Sequence, residues 1–163
     1  MPRISALAFA FLAVHSAAFA ADGPATALQC EQVFDSRSGR MLGANTIVVR
    51  AGKIAEVRDG RVDIPDATVV DLSGHTCSPG WTDLHVHLGE ESNPRAYEED
   101  FRLDPTDFAL RGVAFSRRTL MAGFTSVRDF GGEAAPHLRD AINQGLIDGP
   151  RIWAAGKSIA TTG

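Results

Sequence analysis

From Gly80 onward the chain alternates apolar runs of strand length with longer stretches of helical period. "GWTDLHVH", Gly80 to His87, reads as a strand, and "DPTDFALRGVAFSRRTLMAG", from Asp104, reads as a helix. "FTSVRDFGG" follows as a second strand with a glycine-rich loop, "PHLRDAINQG" as a helix stopped by Gly145, and "PRIWAAG" as a third strand. Strand, helix, strand, helix, strand is the order of parallel β-α units, which restricts this half of the chain to the α/β class. The first helix carries its own punctuation. Asp104 can accept hydrogen bonds from the free N–H groups of the first turn, Pro105 suits the first helical position, and Gly123 can take the left-handed cap. Leu110, Val113, Ala114, Arg117 and Met121 fall on one side and predict its packed face.

Before Gly74 the pattern is different. Between Leu28 and Leu72 the chain offers short β-type runs, "LQCEQVF", "NTIVVRAGKIAEVR" and "TVVDL", separated by turn residues. The apolar runs flanking Ala51-Gly52 predict a hairpin turning there. Several short strands in so few residues predict a small sheet or half-sandwich.

The strand that opens the second half ends in His-x-His, in a chain with five histidines. Side chains two apart on a strand share a face, so Trp81, Asp83, His85 and His87 form one set, and Thr82, Leu84, Val86 and Leu88 the other. Two neutral imidazoles projecting in parallel from one rigid strand can share a zinc or similar divalent ion at roughly 2.0–2.1 Å. Hydrogen-bonded polar residues on a solvated face account for the same pattern, and His-x-His by itself does not choose between the two readings.

"VVDLSGHTCSPGWTDLHVHLG" resembles the amidohydrolase superfamily pattern, in which a small β segment leads through Pro-Gly into a first barrel strand ending Asp-x-His-x-His. "GFTSVRDFGG" and "GPRIWAAGKSIATTG" are similar to the same superfamily, specifically its exported imidazolonepropionase-like and Xaa-Pro dipeptidase-like members. The resemblance runs from about Leu28 to the last residue. It implies a (β/α)8 barrel preceded by a small β-sandwich segment, and a metal-dependent hydrolase cleaving an amide, cyclic amide or dipeptide C–N bond with metal-activated water. It implies one or two divalent ions in the complete enzyme, zinc foremost.

Carried over residue by residue, the resemblance makes His85 and His87 the first two metal ligands. Asp83 matches the strand aspartate, expected as support for the ligands. Arg128 and Asp129 match a recurrent pair at the end of the second strand, at the pocket rim or as a salt-bridged loop anchor. Lys157 follows the third strand, whereas the family's metal-bridging lysine lies on a later one, so it is not assigned to the metal. His75 and His137 read as ordinary surface residues. The acidic stretch Gly89 to Pro105 follows the ligand strand, where it either overhangs the pocket or is simply solvated.

An eight-unit barrel takes about 250 residues, so the barrel is expected to be incomplete here, with the remaining ligands and the general base beyond Gly163. On that expectation the chain alone is not catalytic. A different class of function, a non-catalytic exported binding module with weak metal capture, fits the same charge and strand pattern.

The opening residues point to export. Arg3 precedes an apolar run from Ile4 to Phe19, and Ala18 and Ala20 form an A-x-A cleavage site before Ala21. The expected organisation is a signal peptide over 1–20, the β-rich segment over 21–76 and the first β/α units over 77–163, in a periplasmic or secreted protein free of the membrane after cleavage. Acidic residues outnumber basic ones, 20 to 16, and cleavage removes Arg3 as well, so the charge favours no nucleic-acid partner. A small-molecule or dipeptide substrate is expected, and self-association into a homo-oligomer stays open. Cys30 and Cys77 are the only cysteines. In an oxidising compartment they can pair, and two buried thiols are the equal alternative.

Overall fold

The computed structural model of the protein describes residues 23–157, Ile159 and Thr161. The expected signal peptide lies outside the described residues. The described chain forms two compact units that divide between Ser78 and Pro79.

The first unit is a five-stranded sheet built from β1 (Ala25–Asp35), β2 (Arg40–Leu42), β3 (Asn45–Arg50), β4 (Lys53–Asp59) and β5 (Ala67–Cys77). β1 pairs antiparallel with β2 and β3, β3 pairs with β4, and β5 lies parallel to β1. The expected hairpin joins β3 to β4. Ala51 and Gly52 both have positive φ, 47° and 71°, the handedness a two-residue turn needs to match the twist of the strands it joins. One face of this sheet is covered by its own chain. Ala25, Ala27 and Val48 are buried with Ile64, and Val62 and Ala67 pack against them. The buried Thr46 hydroxyl fixes that cover, donating to the Gly60 carbonyl at 2.9 Å and accepting from the Val62 N–H at 2.9 Å.

Cys30 and Cys77 form a disulfide, with Cα atoms 5.9 Å apart. Of the two readings left open by the sequence, pairing is the one the fold adopts. The two cysteines lie on the paired strands β1 and β5, whose parallel register sets Cys77 against Val33 near the end of β1, which sequence spacing does not reveal.

The second unit begins with β6 (Trp81–Val86), followed by the short α1 (Ala96–Arg102) and by α2 (Pro105–Met121). β7 (Phe124–Asp129), α3 (Ala134–Asn143) and β8 (Arg151–Ala154) complete it. The three strands are parallel and lie in sequence order. Such consecutive parallel β-α units open a (β/α)8 barrel, as expected. Pro79-Gly80 leads into β6 where a side chain has no room: a Cβ at Gly80 would lie 2.1–2.7 Å from Thr125 side-chain atoms.

The N-terminus of α2 behaves as its sequence dictates. Asp104 accepts from the N–H groups of Thr106 (2.7 Å) and Asp107 (3.2 Å), and Asp107 accepts in return from the Asp104 N–H at 3.1 Å. Gly123 takes a φ of 98° after the last turn. The packed face of α2, however, is not the expected one. Leu110 and Met121 are exposed, at 68% and 73%, whereas Gly112 and Ser116 are buried. The reason is close approach. A Cβ at Gly112 would sit 2.5 Å from a Leu138 methyl and 3.0 Å from the Leu88 carbonyl, so the smallest residue marks the contact line and the larger apolar residues fall beside it. Leu88, Val127, Leu138 and Ile152 form the buried core of this unit, with Val86, Val113, Phe124 and Ile142 packed against it. Each such fully buried aliphatic side chain stabilises by about 1.5–3 kcal/mol.

Candidate functional site

The site is built at the C-terminal end of β6. His85 and His87 are both exposed there, with ring centres 5.5 Å apart and planes inclined at 45°. The strict alternation expected along this strand is broken. Asp83 pairs with Val127 and Val86 with Asp129, so three steps on β6 oppose two on β7, a β-bulge. Leu84 is 60% exposed, whereas its neighbours in the expected apolar set, Val86 and Leu88, join the core. Bulges commonly re-aim side chains next to functional sites.

The two rings face different surroundings. His85 meets the Phe130 ring beyond the end of β7, centre to centre 4.5 Å. His87 lines a hollow of about 820 Å³ walled by residues 89–96 and by Glu99, Phe108, Arg111 and Phe115. A smaller hollow of about 440 Å³ holds Asp83 together with His87, Val86, Phe115 and Thr119. The Asp83 carboxylate accepts the backbone N–H of His85 at 3.0 Å, so it braces the strand at the bulge through the main chain.

Asp129 and Arg128 point to opposite sides of β7. Asp129 is 1% exposed, and its carboxylate accepts the Leu88 N–H at 2.7 Å and the Gly131 N–H at 3.1 Å. It is a loop anchor made of main-chain hydrogen bonds, and it binds the segment after the His-x-His pair to the end of the neighbouring strand. Arg128 is exposed, its guanidinium carbon 4.6 Å from the centre of the Phe130 ring. No ion pair joins it to Asp129 among the described residues.

The acidic stretch after β6 is more ordered than solvation alone would leave it. It contains α1 and is pinned to α2 by ion pairs from Glu99 to Arg111 (3.0 Å) and from Glu91 to Arg118 (3.4 Å). The Asn93 side-chain amide donates to Glu99 at 3.1 Å, and this bond, reinforced by Arg111, holds the Glu99 carboxyl below the usual glutamate value of 4.5. Lys157 pairs with Glu133 at 3.3 Å, His137 is exposed on α3, and His75 is exposed on β5 with its Nδ1 3.0 Å from the Ser73 carbonyl.

Two imidazoles bound to one ion at ~2.0–2.1 Å place their ring centres about 5 Å apart, so the observed 5.5 Å suits a shared ion. The donor chemistry is right for zinc and its neighbours. The described residues contain no group of three or more His, Cys, Asp or Glu side chains arranged to hold a metal.

Comparison with known proteins agrees with this architecture. The profile of the amidohydrolase family matches residues 76–162. The chain belongs to the amidohydrolase family. Within it, the chain is similar to a solved Xaa-Pro dipeptidase with methionine bound in the active site: 33% identity and a TM-score of 0.77, over 83% of this chain and 34% of that one. It is similar as well to a dihydroorotase of Anaeromyxobacter sp. (strain K), 48% identical over 60 residues, which cover 36% of this chain and 13% of that protein. Ochratoxinase of Aspergillus niger is 28% identical over 123 residues, covering 72% of this chain and 25% of that protein. This amidohydrolase chain therefore spans between about an eighth and a third of the length of these relatives.

Phe130 and the Glu99–Arg111 clamp are the residues of this site that sequence reading passed over. For Phe130 a signal was present: the two-residue period of "RDF" puts Arg128 and Phe130 on one side and Asp129 on the other. For the clamp there was none, because its two residues lie on separate helices.

Proposed function

We propose that this amidohydrolase chain contributes the first two metal ligands, His85 and His87, of a hydrolase acting on a C–N bond. The observation that carries the reading is the pair of exposed imidazoles, ring centres 5.5 Å apart, at the C-terminal end of the first strand of a parallel β-α series. That end is where barrels of this kind build their sites. A divalent ion bound there, zinc foremost, supplies an activated water and polarises the bond under attack. This chain's residues do the positioning. His85 and His87 offer ring nitrogens, Asp83 and Asp129 brace the backbone on either side of them, and the 89–99 stretch with α2 walls the hollow into which His87 opens.

The relatives named dihydroorotase and Xaa-Pro dipeptidase support a cyclic amide or a dipeptide as substrate. The A-x-A site before Ala21 and the Cys30–Cys77 disulfide support an exported protein, periplasmic or secreted, working on small molecules. The test is metal content by mass spectrometry on the purified protein beside the His85→Ala/His87→Ala variant, with a panel of Xaa-Pro dipeptides and dihydroorotate as substrates. Divalent metal present in the wild type and lost in the variant is the expected result. Equal metal in both sinks the ligand assignment, and so does hydrolysis of a panel substrate that survives in the variant.

A further inference from the structure

Phe130 has no ligating atom, yet it touches one of the two rings whose orientation a metal site needs fixed. Its ring centre lies 4.5 Å from that of His85 with the planes inclined at 33°, closer than the two imidazoles lie to each other. At 38% exposed it is not a core residue. It is nonetheless held from three sides. Its backbone N–H donates to the Val86 carbonyl at 3.0 Å, the Arg128 guanidinium lies over its ring at 4.6 Å, and the preceding Asp129 is locked to Leu88 and Gly131. Phe130, just past the end of β7, thus contacts both Arg128 on β7 and His85 on β6.

We propose that Phe130 is the positioning residue of His85, and that Arg128 serves the metal site by holding Phe130 in place. This rests on reading His85 and His87 as ligands. An exposed imidazole at a strand end has several staggered rotamers open to it. Stacking on an immobilised ring selects one of them before any ion arrives, and offset aromatic contacts at this separation are favourable. Pre-set ligand orientation raises metal affinity, and the partners that supply it matter nearly as much as the ligands themselves. The alternation of Arg128, Asp129 and Phe130 thus divides two tasks: Asp129 holds the backbone after His87, while Arg128 and Phe130 hold the ring of His85.

The experiment uses the full chain, proton NMR of the histidine rings without metal, and zinc titration by calorimetry. In the wild type the ring protons assigned to His85, by their absence in His85→Ala, are expected upfield of the other histidines because of the Phe130 ring current. Phe130→Leu should abolish that shift and weaken zinc binding about tenfold, while Phe130→Tyr restores both. Wild-type spectra in which every histidine ring proton lies at an ordinary position overturn the proposal whether or not any variant folds. Zinc binding lost in His85→Ala but unchanged in Phe130→Leu overturns the role of the stack alone. Zinc binding that survives His85→Ala overturns the ligand reading and, with it, the purpose of the stack.

Discussion

Replacing Asp129 with asparagine preserves the size and shape of the side chain and changes only what its two terminal atoms can do. In the native chain one carboxylate oxygen accepts the Leu88 N–H at 2.7 Å and the other accepts the Gly131 N–H at 3.1 Å, at a position 1% exposed. Asparagine has one oxygen and one amino group there, so one main-chain N–H must face another donor. A buried donor left without an acceptor costs about 1–3 kcal/mol, and the surviving bond loses the charge that strengthened it. The expected loss for Asp129→Asn is therefore roughly 2–4 kcal/mol, and for Asp129→Ala, which orphans both N–H groups, roughly 2–6 kcal/mol. Against a typical domain stability of about 5–15 kcal/mol this is a large fraction. Urea denaturation gives the stability difference, and hydrogen exchange at the Leu88 amide shows whether the named bond is the one lost. If Asp129→Asn stays within about 0.5 kcal/mol of the wild type, with Leu88 equally protected, Asp129 acts by filling space and the hydrogen-bond reasoning is wrong.

The disulfide closes a loop with a sequence separation of 47, and the chain-entropy relation gives about 4 kcal/mol for such a loop. Cys30→Ala/Cys77→Ala should lower the unfolding free energy extrapolated from urea denaturation by that order, with a slope no smaller than the wild type's because the freed denatured chain expands, and a loss under about 1 kcal/mol would refute the entropic account. The docking of the 89–99 stretch depends on pH with a defined sign. Glu99 is held below 4.5 by Asn93 and Arg111, so its contribution is complete above pH 4.5 and disappears as pH falls through its lowered folded-state value. The protection factors of the amides in that stretch, taken against the intrinsic exchange rate at each pH, should fall as the protein is acidified from about pH 6 to about pH 3, and should fall less in Glu99→Gln. Protection factors that ignore acidification would remove the carboxylate from the docking account.

How much was legible beforehand depended on the range of the interaction. The Asp104 cap, the Pro105 start, the hairpin at Ala51-Gly52 and the strand-helix alternation all rest on contacts within a few residues, and each appears where the local chemistry put it. The packed face of α2 did not, because Leu110 and Met121 satisfy helical periodicity while Gly112 satisfies the distance to Leu138 and Leu88. The bulge in β6 escaped for a similar reason. A two-residue period assumes a regular partner strand, and here three steps of β6 meet two of β7.

The sequence by itself determined the parallel β-α order, the placing of two imidazoles at one strand end and the availability of two cysteines, since these follow from residue type and spacing along the chain. Tertiary structure alone decided that the cysteines meet, that Asp129 closes on the Leu88 N–H, and that His85 turns onto Phe130. Each of those contacts joins residues 41–47 apart in sequence or lying on different strands. Its existence depends on register and close approach, which no local propensity encodes.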